Sequence, residues 1–177
     1  MTLAGPLSAD GSAIEQRVRE VLEGSGLDYE LITCDPELAD TAAFCAHYGY
    51  PLDRSANTIV VASRRPPGEP AATVVLSHTR LDVNNRVRKL MGVRKLSFAP
   101  AEKTAELTGM LMGGVTPFAL PESLPLYIDS RVVACPWVIL GGGSRSLKVK
   151  VDPQALTSLP GAEVIEGLAT EPPPATD

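Results

Sequence analysis

Histidine, cysteine and aromatic residues are scarce in this chain, with two histidines, three cysteines and 5% aromatics among 177 residues. His47 and His78 lie far apart, and no cysteine pair has CxxC spacing, so neither a structural metal nor a cofactor is expected. Cys34, Cys45 and Cys135 are odd in number and widely separated. They read as reduced thiols in a cytoplasm, not as a disulfide framework. Long apolar runs are missing too. The longest uncharged stretches, 107–121 and 132–144, are broken by glycine and proline, and fall short of the ~18–20 residues of a membrane span. The opening MTLAGPLSADG has neither a basic head nor an apolar core, so no secretory leader is expected. Positive charge is in deficit, with sixteen basic against twenty-one acidic residues and a net charge of −5. That balance argues against a surface coated with phosphate-binding charge, but not against a local basic patch.

What is present suits one globular domain: 44% of residues are hydrophobic and 21% charged. Residues 1–11 and 167–177 read as flexible tails, the second rich in proline, flanking a folded unit over 12–166. Ser12 and Glu15 form a capping box, followed by Ile14, Val18, Val21 and Leu22 on one helical face that ends at Gly24 or Gly26. Tyr29–Thr33 suits a strand, and Asp40 or Thr41 opens a second helix closed by Gly49. Thr58–Ala62 and Ala71–Leu76 form a hairpin around RRPPGEP. Asp82 caps a helix with Val83, Val87, Leu90 and Met91 inward, and Pro100 begins another that Gly109 ends. Leu126–Ile128, Val132–Ala134 and Trp137–Leu140 read as strands. Leu147, Val149 and Val151 alternate with Lys148 and Lys150 in the pattern of a half-buried strand. A short helix follows Asp152-Pro153. The order is mixed α+β.

Most familiar chemical signatures fail. The run GGGSRS at 141–146 lacks the ending of a P-loop and the last glycine of a dinucleotide fingerprint, which leaves a glycine-rich turn or an incomplete nucleotide cradle. Ser77, His78 and Asp82 are adjacent in sequence, which says nothing about triad geometry. Cys45 and His47 sit two apart on a helix and face different ways. Gly113-Gly114-Val115-Thr116-Pro117-Phe118 is more pointed. Two glycines free the backbone and the proline fixes the exit, so the loop either presents N–H and C=O groups to a ligand or is an ordinary turn. Arg80, Arg86, Arg88, Lys89, Arg94 and Lys95 crowd into one segment, as a solvated helix face or as a surface for phosphates.

In order along the chain, these landmarks resemble the YbaK family, relatives of the editing domain of bacterial prolyl-tRNA synthetases. The resemblance is carried by Thr41-Ala42-Ala43 leading to Gly49-Tyr50-Pro51, and by Ser55-Ala56-Asn57-Thr58-Ile59-Val60-Val61. It continues in Val74-Val75-Leu76, in Leu81-Asp82 with the basic helix, and in 108–118 with a G-x-x-x-P signature from Gly113 to Pro117. Leu124–Asp129 and Val138–Arg145 complete it, so that it runs from the first helix to Leu156. It implies an α/β (mixed α+β) domain with a mixed, partly barrel-like sheet flanked by helices. The implied activity is hydrolysis, in trans, of the ester joining a small wrong amino acid such as Ala, Cys or Ser to the tRNA acceptor end. No nucleophile of the protein is implied.

The implied site comprises Gly113, Gly114, Val115, Thr116, Pro117 and Asn57 at the reacting group. Asp129, Gly142, Gly143 and Ser144 are expected around the substrate, and Arg86, Arg88, Lys89 and Arg145 on the tRNA. Two positions depart from the pattern. Asn57 stands where family members with editing activity carry lysine, so Asn57 bonds the ribose, Arg145 supplies the charge, or the domain binds without hydrolysing. Ser146 stands where the late turn commonly has glycine. Asp129 either caps its strand end or meets the ligand amine. The alternatives are a non-catalytic module binding tRNA ends or small aminoacyl ligands, and a small-molecule hydrolase. No membrane partner is expected, and the oligomeric state stays open.

Overall fold

The computed structural model describes residues 9–171. The first helix, α1 (Ala9–Ser25), buries Val18 and Leu22 completely. It begins upstream of Ser12, so the expected capping box lies inside the helix and does not start it. Ala9–Gly11, expected in the tail, belong to α1, and residues 1–8 of that tail lie outside the described residues.

Two sheets carry the fold. Strands β1 (Tyr29–Thr33), β7 (Val138–Gly141) and β8 (Leu147–Val151) make an antiparallel sheet in the order β1-β8-β7. A five-stranded sheet has the order β5-β2-β3-β6-β9. Its members are β2 (Ala56–Arg65), β3 (Pro67–Leu76), β5 (Lys95–Phe98), β6 (Leu126–Asp129) and β9 (Ala162–Ile165). β6 runs parallel to both neighbours and the other pairs are antiparallel, which makes the sheet mixed. The sheets remain open; one parallel bridge, Ser55–Ile139, joins them, and this is the extent of the barrel-like closure. The helix α2 (Thr41–Tyr48) ends at Gly49 in the left-handed conformation, as its sequence suggests.

Three apolar clusters result. One lies under α1 between the sheets, around Leu126, Ile128, Leu140 and Val149. A second lies under the basic segment, around Val61, Val75, Val87 and Leu168. A third gathers Phe44, Cys45, Cys34 and Ile139 beneath α2.

Several elements differ from expectation. Val132–Ala134 is not a strand: α5 (Ser130–Val133) forms there because Asp129 Oδ1 accepts from Arg131 N at 3.2 Å and caps the turn. Asp82 makes no cap bond, and its helix opens as a wide π-type turn over Val83–Val87 before α3 (Arg88–Met91). Beyond residue 166, where a tail was expected, Leu168 and Ala169 are fully packed, and β10 (Ala169–Thr170) pairs with β4 (Arg80–Leu81). Residues 172–177 lie outside the described residues.

Asp129 holds that C-terminal segment. It is inaccessible to solvent, and its Oδ2 accepts from Ala169 N at 3.2 Å. Asp129→Ala strips an acceptor from two backbone N–H groups at once, and each buried orphan costs about 1–3 kcal/mol. Thermal unfolding should show a loss on the order of 2–4 kcal/mol, with a smaller loss for Asp129→Asn, which keeps one carbonyl acceptor.

Candidate active site

The edge of β2 away from β3 is only partly covered. β5 pairs there with Val61–Arg65, and β7 touches at the Ser55–Ile139 bridge alone. Between these two points Asn57, Thr58 and Ile59 have no strand partner on that side, and a cavity of about 240 Å³ opens against them. Thr41 and Phe44 of α2 form a second wall. Met112, Gly113 and Val115 form a third, and Ile139, Gly141 and Lys148 close the floor.

The glycine loop follows α4 (Ala101–Thr108), which Gly109 terminates in the left-handed conformation. Gly113 has φ +87°, a region L side chains rarely enter, and Gly114 N donates to Leu111 O at 2.9 Å. Thr116 Oγ1 accepts from Phe118 N at 3.3 Å and caps a short 3₁₀ turn at Pro117–Ala119. Of the expected loop residues, Gly113 and Val115 face the cavity. Gly114, Thr116 and Pro117 do not line it; they hold the loop from behind.

Behind Gly114 sits the late glycine turn. Gly143 N donates to Gly114 O at 2.8 Å, and a Cβ on Gly114 would lie 2.6 Å from the Ser144 carbonyl carbon. Gly142 N donates to Leu147 O at 2.9 Å, and Ser144 Oγ donates to Glu15 Oε1 at 2.5 Å. Gly142, Gly143 and Ser144 therefore buttress the loop from outside the cavity, and Gly141 is the member of this turn that lines it. Asp129 is likewise outside the lining, with its carboxylate committed to the two backbone donors described above.

Asn57 does line the cavity. Its Oδ1 accepts from Thr41 Oγ1 at 2.5 Å, which turns the amide nitrogen, a donor only, to the remaining space. Next to it, Thr58 Oγ1 is buried without a partner among the described residues. Such an orphan is costly in a native fold and is a natural point for a ligand to bond. Ser55, also in the lining, shares a 3.0 Å contact with Cys45 Sγ and donates to Pro51 O at 3.3 Å; no histidine stands in the lining to activate it.

Arg145, expected on the tRNA, is spent on the protein. Its Nε donates to Pro36 O at 3.0 Å, and its Nη1 donates to Met112 O at 2.5 Å and meets Asp40 Oδ1 at 3.3 Å. It ties the start of α2 to the glycine loop. Of the basic segment, Lys89 is exposed, while Arg86 and Arg88 are half-buried with Nε on the carbonyls of Glu166 and Asn84.

Lys148 is the residue that sequence reading missed. It is 5% exposed, and its Nζ donates to Ala39 O at 2.6 Å and Gly113 O at 2.8 Å while lying 5.5 Å from the Phe44 ring centroid. Burial pushes its ammonium below the ordinary lysine value. The face of β8 expected to meet water is covered by α2 and the glycine loop.

Residues 35–159 match the family model described as "Aminoacyl-tRNA editing domain". The chain belongs to this family. Its fold agrees with that of solved structures. The hypothetical protein APE2540 superposes with a TM-score of 0.75 at 27% identity, over 86% of this chain and 99% of that one. A structure described as "a putative trans-editing enzyme for prolyl tRNA synthetase" gives 0.73 at 24% identity, over 94% of this chain and 100% of that one. In sequence, the chain is 23% identical over 97 residues to the "Putative Cys-tRNA(Pro)/Cys-tRNA(Cys) deacylase EbsC" of Enterococcus faecalis (strain ATCC 700802 / V583). That match spans 55% of this chain and 58% of the relative's length. Among the described residues, no helix of this editing domain is long and apolar enough to cross a membrane.

Proposed function

We propose that this editing domain hydrolyses, in trans, the ester between a small amino acid and the 3′ end of a mischarged tRNA. The observation that carries the reading is the cavity itself: it is about 240 Å³, with the Gly113 backbone on one side and the unpartnered start of β2 on the other. The names of the similar deacylase and trans-editing proteins support the same direction.

The proposed roles follow from the walls. Gly113 and Val115 present loop backbone to the aminoacyl group, and the Asn57 amide donates to the terminal ribose. Phe44, Ile139 and Leu140 bound the side-chain space, so a large amino acid is refused by overlap. A size sieve of this kind rejects more strongly than the ~1–3 kcal/mol available from one missing methylene. Arg86, Arg88 and Lys89 belong to the segment packed over Val61, Val75 and Leu168, with Arg86 Nε on the carbonyl of Glu166 just past β9. This basic surface is the one proposed to meet acceptor-stem phosphates, by contacts that weaken with salt.

Binding without hydrolysis is the second reading, favoured by the neutral Asn57. Deacylation of Ala-, Cys- and Ser-charged tRNA by the native chain and by Asn57→Lys separates the two. Turnover by the native chain above the uncatalysed rate is expected. No turnover by the native chain, with turnover gained in Asn57→Lys, overturns the enzyme reading in favour of the binding module. Reversing Arg86, Arg88 and Lys89 to glutamate should weaken tRNA binding and flatten its salt dependence; unchanged binding removes this surface from the proposal.

A further inference from the structure

Ester hydrolysis concentrates negative charge at one place. Water adds its oxygen to the acyl carbon and gives up a proton, and the carbonyl oxygen becomes an oxyanion. Collapse breaks the bond to the ribose oxygen, which takes up a proton, and the free carboxylic acid releases one to solvent. Preorganised positive charge at the oxyanion is the largest single contribution a site of this kind can make.

The cavity lining holds two ionisable groups of opposite charge, Asp40 and Lys148. Asp40 is already paired with Arg145. Lys148 has three N–H donors; Ala39 O and Gly113 O take two, and the third has no acceptor among the described residues. A buried ammonium held by two fixed carbonyls does not need to reorganise when charge develops beside it, and the Phe44 face adds favourable electrostatics.

We infer that Lys148 is the oxyanion-stabilising cation of this pocket, a catalytic residue supplied by the floor strand β8, with its third N–H directed at the acyl oxygen. The inference rests on the editing reading. The same ammonium also tethers Gly113 O, so a structural role has to be separated from a catalytic one. Position 57 allows this because it lines the opposite wall of the same cavity: a lysine there can return the charge without returning the tether.

The test compares native protein, Lys148→Met, and Lys148→Met combined with Asn57→Lys. Each is assayed for deacylation of whichever of the Ala-, Cys- and Ser-charged tRNAs the native protein hydrolyses, and for thermal unfolding. The expected result is that Lys148→Met lowers kcat at least thirtyfold with KM within threefold, and that the double variant recovers tenfold or more. Full activity in Lys148→Met overturns the inference. Loss in Lys148→Met without recovery in a folded double variant also overturns it and leaves Lys148 as a tether. Should Lys148→Met not fold, Lys148→Arg replaces it: a guanidinium keeps the charge, so loss of more than a hundredfold in a folded Lys148→Arg counts against a charge role. Native protein that hydrolyses none of the three tRNAs defeats the editing reading instead. Binding of a phosphonate analogue of 3′-alanyl-adenosine 5′-phosphate, whose anionic tetrahedral phosphorus replaces the acyl carbon, then decides on Lys148, with tenfold weaker binding to Lys148→Met expected and equal binding overturning the inference.

Discussion

Gly113→Ala should lower deacylation at least a hundredfold while the chain stays folded. Gly113 holds φ +87°, and its Cα faces the Arg145 guanidinium. A methyl group there would collide with Arg145 Nη1 and lie 3.2 Å from Ala39 Cβ. Arg145 would have to leave Met112 O and Asp40, the contacts by which it binds the loop to α2. The left-handed backbone adds about 1–2 kcal/mol for a residue with a Cβ. The stability cost is therefore modest, but the loop moves relative to β2 and β8, and a displacement of about 1 Å costs roughly a hundredfold in rate where positioning does the work. Steady-state deacylation set beside thermal unfolding checks both halves. Activity within threefold of native removes the loop from the proposed machinery.

Phe44→Ala should be the most destabilising single change at the site and should also widen substrate choice. Phe44 is 1% exposed, stacks on Tyr50 at 5.5 Å between centroids with 2° between planes, and lies 4.9 Å from Tyr48. Truncating a buried phenylalanine costs about 3–5 kcal/mol in lost burial and residual cavity. Here part of that cavity joins the substrate space. Hydrolysis of tRNA charged with a larger amino acid such as Val should rise relative to Ala, measured at a temperature where the variant is folded. An unchanged Val-to-Ala ratio would place the size limit on another wall. Phe44→Leu fills more of the gap and should fall between the two in both stability and selectivity.

The readable parts of the chain were those governed by local chemistry. Gly49 and Gly109 end their helices in the left-handed conformation, as a glycine after the last helical turn should. β2 and β3 form the hairpin around the proline-rich turn, longer than their β-rich centres indicated. Two glycines and a proline from Gly113 fit an ordinary turn as well as a ligand loop, and the resemblance to a known family singles the segment out. Where expectation and structure parted, a distant residue had intervened. Val132–Ala134 has strand composition, yet Asp129 caps a helical turn there and at the same time holds Ala169, forty residues away. The prolines at 172–174 make the chain read as a tail from residue 167, yet Ala169 pairs with Leu81. Gly142, Gly143 and Ser144, expected around the substrate, pack on the outer side of the loop, a placement that sequence order does not contain.

The ordered landmarks from Thr41 to Arg145, through their resemblance to a known family, were enough to reach the editing-domain family. That resemblance rests on short motifs and their spacing, which the chain carries in its own order. The tertiary structure decided which faces are inside. Lys148 alternates with Leu147 and Val149 in a pattern that ordinarily sends its side chain to water. α2 and the glycine loop close over that face instead, leaving the ammonium between Ala39 O and Gly113 O. Burial is a property of what packs on top of a strand. The strand's own period states only which residues share a side, so the cation in the pocket became visible once 39, 44, 113 and 148 were brought together.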